Sequence, residues 1–145
     1  MSAKAKKVAY WVTTGVLVFV FGAGGVAELA QGSAVREGFK SLGYPAYLAV
    51  ILGTWKLLGA AVLVWPRTPR IKEWAYAGIM IDLTSAAASH VFVADPPADV
   101  AVPLIIAVIG LASWALRPAD RVLGRIAVRA AASEPASAGD ARLAA

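Results

Sequence analysis

The chain has no cysteine among its 145 residues. That excludes disulfides, a thiolate nucleophile and any cysteine-ligated metal or cluster. A single histidine, His90, is too few for a bis-histidine haem or a histidine-rich metal site. Charge is scarce as well. Asp, Glu, Lys and Arg make up 16% of the residues, against roughly 25% in a soluble domain.

Apolar residues fill the space that charge leaves. They are 59% of the chain, and the mean hydropathy is +0.68. They gather in four stretches, 8–30, 46–65, 74–94 and 100–116, each close to the roughly 20 residues that span a ~30 Å hydrocarbon core. Four in succession predict an all-α, integral membrane, antiparallel four-helix bundle. The first could be read as a signal peptide, but Glu28 would stand three residues before the best cleavage point, so the segment is expected to be retained.

Basic residues set the expected orientation. Lys4, Lys6 and Lys7 precede the first stretch, Arg67, Arg70 and Lys72 follow the second, and five arginines follow the fourth. Eleven of the fourteen basic residues thus fall on one side, which predicts both termini in the cytoplasm and an inner-membrane, multi-pass protein. Trp11, Tyr44, Tyr47, Trp65, Trp74 and Trp114 stand at span ends, as interfacial aromatics do. The isoelectric point near 9.8 follows from this topology and from the tail, so no nucleic-acid partner is implied.

The intervening segments add two expected helices. Over 33–42, Ser33 can cap a short helix and Gly43 can close it before Pro45, with Val35, Phe39 and Leu42 on one face. This reads either as a helix in the outer interface, lying as a lid over the bundle, or as a capped loop with a small apolar contact. After the four-span unit, residues 1–117, Arg117, Arg121, Arg125 and Arg129 repeat every four residues opposite Val122, Leu123, Ile126 and Ala130. That predicts a basic amphipathic helix over 118–130 on anionic inner-leaflet lipid. Residues 131–145, rich in Ala, Ser, Gly and Pro, are expected to be disordered.

Four ionisable residues lie inside the apolar stretches: Glu28, Lys56, Asp82 and His90. A charge at bilayer depth costs at least ~2.5–3.5 kcal/mol, so it is kept only with a partner or a task. Counting 1.5 Å per residue brings Lys56 and Asp82 near the midplane, with Glu28 and His90 in the outer third. Side chains lean toward their helix N-terminus, so Lys56 and Glu28 lean toward each other. Either carboxylate could claim Lys56. A buried polar network around Lys56 is therefore expected, supported by Ser85 and Ser89 on the Asp82 stripe and by Gly53, which allows close approach beside the lysine. Glu28 and His90 are expected to form its reactive end. Helix registry alone is the competing explanation.

Several of these residues fall into a familiar order. Gly25-x-x-Glu28-Leu29, Gly43-Tyr44-Pro45, Gly53-x-x-Lys56-x-x-Gly59-Ala60 and Glu73-Trp74-Ala75-Tyr76-Ala77-Gly78 are followed by Asp82, His90 and Pro103. The pattern, over residues 8–117, resembles the DoxX-like family of small four-span membrane proteins. Many relatives carry Lys on the first span and Glu on the second, so Glu28 and Lys56 look exchanged. The resemblance implies an accessory or quinone-interacting component of a membrane redox system, without catalytic activity of its own, in which His90 and Glu28 could hydrogen-bond a quinone carbonyl. Its partners would be a redox subunit or further copies of the chain. A small proton-coupled carrier or permease, or an assembly factor without chemistry, stays open beside it.

Overall fold

A computed structural model of the chain describes residues 2–118 and 121–122. Within these there are five helices and no strand. The expected amphipathic helix over 118–130 falls almost wholly outside the described residues, and the tail over 131–145 falls entirely outside them.

The first helix, α1, runs Ala3–Ala30; the Ser2 hydroxyl caps it by accepting from the Ala5 N–H at 3.2 Å. It stops at Gln31, whose backbone is left-handed with φ 54. The Gln31 side-chain amide donates to the carbonyls of Glu28 (3.1 Å) and Ala46 (3.2 Å), tying the end of α1 to the start of the third helix. Between them stands α2, Ser33–Ser41. Gly32, rather than Ser33, occupies its N-cap, and no side chain caps it. At the far end Gly43 takes φ 78, a conformation open to glycine, and the Tyr44 N–H reaches back to the Phe39 carbonyl at 2.8 Å.

Three longer helices follow: α3 (Ala46–Val64), α4 (Pro69–Phe92) and α5 (Pro97–Ala115). Proline opens both α4 and α5 in their first turn, where its missing N–H costs nothing. Among the described residues, α1, α3 and α5 are long and apolar enough to cross a membrane. The 24-residue α4 is long enough but less apolar, because Lys72, Glu73, Asp82, Thr84, Ser85, Ser89 and His90 all lie along it.

α1 packs against α3 and α5, and α4 against α5 and α3, while α2 rests on α3. The shared core is Leu17 and Phe21 of α1, Ala60 and Leu63 of α3, Tyr76, Ile79 and Leu83 of α4, and Ala107 of α5. Large apolar side chains also face outward all round, among them Val12, Phe19, Trp55, Ile81, Phe92 and Val108. A surface of that kind is suited to lipid rather than water. Six polar or charged side chains among the described residues, by contrast, are buried: Thr14, Glu28, Lys72, Ser89, Ser113 and Arg117.

Candidate functional site

Two glycines bring α1 and α3 together. A Cβ built on Gly25 would lie 2.9 Å from the Gly53 carbonyl oxygen, and one on Gly53 would lie 2.9 Å from that of Gly25. Less than a turn farther along each helix, this approach sets Glu28 beside Lys56, and the Lys56 ammonium donates to Glu28 Oε1. Asp82 of α4 completes a triad, with Oδ2 3.8 Å from Lys56 Nζ. All three side chains are largely buried. Glu28 Oε2 is buried and has no hydrogen-bond partner among the described residues.

Two cavities adjoin this triad. One, of about 320 Å³, lies beneath α2, with Glu28, Lys56 and Asp82 in its wall. Phe39 and Leu42 close it from the α2 side, and Tyr44, Ser85 and Ser89 add hydroxyls. Ser89 donates its hydroxyl proton to the Ser85 carbonyl (2.8 Å), so the Tyr44 hydroxyl donates to Ser89 Oγ, also at 2.8 Å. The other is a groove of about 400 Å³ between α3 and α4. Its walls are apolar, formed by Leu52, Trp55, Trp74 and Ile79 with Gly59 and Gly78, and its charged groups are Lys56 and Asp82. Tyr44 escaped the sequence reading as a site residue, although Gly43-Tyr44-Pro45 marks its place.

His90 does not join the triad. Its Nδ1 lies 2.6 Å from Asp95 Oδ2, just beyond the end of α4. Ala94 turns the chain with φ 57, and the Asp95 N–H bonds the His90 carbonyl at 3.0 Å. This turn brings the Asp95 carboxylate to the ring, so the expected pairing of His90 with Glu28 does not form. His90 lines neither cavity.

The other end of the molecule holds the remaining buried charge. Lys72 is fully buried and donates to the carbonyls of Val62, Leu63 (3.0 Å) and Trp65 (2.5 Å), satisfying the last turn of α3. Arg117 was expected to face lipid. Instead it is buried, bonds Glu73 Oε1 at 2.8 Å and the Trp114 carbonyl at 3.0 Å, and lies over the Tyr76 ring. Arg121 also turns inward, to the Leu63 carbonyl (3.2 Å), with the Trp11 ring beneath it. Aromatic faces and free carbonyls at this end draw the guanidinium groups away from the surface. Arg125 and Arg129 lie outside the described residues. Burial acts to raise the Glu73 carboxyl, yet the Trp114 indole N–H and Arg117 outweigh it and hold Glu73 below the ordinary carboxylate value. A further polar group, missed from sequence, links Thr14, Ser113 and Tyr76 through hydroxyl bonds of 2.8 Å.

Residues 12–113 match the family model described as the DoxX-like family. No curated protein and no solved structure matches the chain.

Proposed function

The chain belongs to the DoxX-like family of membrane proteins, and from that premise we propose that it is an accessory, quinone-interacting component of a membrane redox system. In this reading α1, α3, α4 and α5 span the inner membrane, both termini are cytoplasmic, and α2 lies at the outer interface. The observation that carries the reading is the apolar groove between α3 and α4, which ends at Lys56 and Asp82. A lipophilic ring could enter it sideways from the bilayer. Trp55, Trp74, Leu52 and Ile79 suit the ring and its tail, Lys56 would donate to a carbonyl oxygen, and Asp82 stands where a proton could be held. Pockets of this kind, apolar with a few polar groups, fix small-molecule ligands. When bound, a quinone supplies the redox chemistry that the chain's own side chains lack.

Two tryptophans in the groove provide the test. A short-chain quinone added to the purified protein in lipid nanodiscs should quench Trp55 and Trp74 fluorescence saturably. Lys56→Met should weaken that binding at least about tenfold, the worth of one charge-assisted hydrogen bond. Native purification should recover quinone, with or without a redox subunit. Absence of both saturable quenching and copurified quinone would sink the proposal.

One observation favours a second reading, a small proton-coupled carrier. Lys56 and Asp82 also line the cavity beneath α2, so one charged triad is flanked by two cavities. Solute uptake into proteoliposomes under an imposed pH gradient separates a carrier from a redox component. An assembly factor would show neither uptake nor quinone.

A further inference from the structure

The triad contains two acids and one base. Lys56 can neutralise one carboxylate, and it bonds Glu28 directly while Asp82 stands 3.8 Å away. With all three groups ionised, the triad would carry one uncompensated negative charge among the helices, where a lone charge is costly. Two carboxylates sharing a site do not both stay ionised when a proton is at hand. The Glu28 Oε2 atom, buried and without a donor, is where an uncompensated negative charge is least supported.

No other charge among the described residues repairs the balance. α2 and its C-cap lend only Phe39 and Leu42 to the cavity wall, and Arg36, Glu37 and Lys40 of α2 are exposed. His90 is taken by Asp95, and the Tyr44 hydroxyl by Ser89. On α4, Lys72 and Glu73 are engaged at the opposite end, and Tyr76 bonds Ser113. The titratable group of α5, Asp99, lies in its first turn and is exposed. The two cavities differ in what they admit. The groove has no polar side chain besides Lys56 and Asp82, whereas the space beneath α2 adds the Tyr44, Ser85 and Ser89 hydroxyls to the Glu28 and Asp82 carboxyls, the partners an entering water needs.

We propose that Glu28, Lys56 and Asp82 form a proton-binding site that holds one proton per chain, shared between the two carboxyl groups, and exchanges it through the cavity beneath α2. The step is a simple acid–base one. A carboxylate oxygen gains a proton from water in the cavity and returns it there, while Lys56 stays charged. The site uses the same triad as the quinone reading but does not depend on that ligand.

The test counts protonated carboxyl groups by their carbonyl stretching band in difference infrared spectra. It uses the full chain in lipid nanodiscs near neutral pH, with no quinone added. The unaltered protein should show one such band, shifted in deuterated water. Glu28→Gln and Asp82→Asn should each abolish it, because either leaves a neutral pair with Lys56. Lys56→Met should give two protonated carboxyls. The two amide variants are nearly isosteric, and helical circular dichroism with size exclusion would verify that every variant stays folded. Leu42→Trp, which narrows the cavity at its α2 side, should slow deuterium exchange of the band.

Absence of the band in the unaltered protein would overturn the proposal, as would its survival in both amide variants. Its loss on adding sodium at constant pH would show a site for a metal cation instead. Unchanged exchange in a folded Leu42→Trp protein would overturn the route. Quinone quenching can fail while the band persists, and the band can be absent while quenching persists, so the two proposals fall separately.

Discussion

Gly25 and Gly53 touch backbone to backbone, and the same contact brings Glu28 Cβ to within 3.0 Å of where a Gly53 side chain would begin. The α1–α3 spacing and the Glu28–Lys56 ion pair are therefore a single arrangement. Gly53→Ala should force the helices apart at a cost of about 1–3 kcal/mol and loosen the ion pair with it. Gly22→Ala meets nothing within 4 Å and should be neutral or stabilise by up to about 1 kcal/mol. Thermal melts of both variants in detergent would test this; equal melting temperatures would contradict it.

Removing Lys56 should be severe. Lys56→Met leaves buried carboxyl groups without their cation, and breaking a buried pair costs about 3–5 kcal/mol. Glu28→Gln added to it should recover most of the loss, since Glu28 takes the direct bond and Asp82 the longer contact. Recovery by Asp82→Asn instead would reverse that ranking.

The Glu73–Arg117 pair should give a pH signature at the other end. Glu73 titrates below its ordinary 4.5 in the folded protein, so on acidification the unfolded chain takes the proton first. Its contribution to stability is complete above 4.5 and is lost as the pH falls below that value toward the folded one. Glu73→Gln should lower the melting temperature at neutral pH and flatten its acid decline. Parallel curves for the two proteins would remove Glu73 from the account.

His90→Phe should leave quinone quenching unchanged, because the ring is bound to Asp95 and lines neither cavity. Lys56→Met, in the same assay, should weaken it. A histidine variant that lost ligand binding while folding normally would return His90 to the site.

Reporter fusions at Ser41, Pro69 and Pro96 address the orientation. The basic residues predict an outside signal at Ser41 and Pro96 and an inside signal at Pro69. An inside signal at Ser41 would refute the topology.

Much of the helical framework is legible in the sequence, because apolar runs of this length have few alternatives. The lean of Glu28 and Lys56 toward each other and the close approach at Gly53 are legible too. Depth, however, sets Lys56 level with Asp82, so the choice of Glu28 for the direct bond is made by the packing of α1 on α3. What lies just past a helix end is not legible. Asp95 reaches His90 only through the left-handed turn at Ala94, which helical periodicity cannot place. Lys72 reads as a loop charge, and its burial depends on the chain folding back after Trp65. The four-residue spacing of Arg117 and Arg121 suggests a lipid face, yet the choice between lipid and the rings of Tyr76 and Trp11 is made by tertiary contacts.

The order of the three triad residues along the chain bears on how the protein is made. On the four-span reading, Glu28 leaves the ribosome first, Lys56 next and Asp82 last. The insertion machinery thus meets one negative charge, then a neutral pair, then a second acid on the helix least able to enter lipid alone. α4 follows α3 after only four residues, and Lys72 fastens its first turn to the α3 carbonyls. The two helices are consequently suited to enter as a hairpin, with Lys56 already waiting for Asp82.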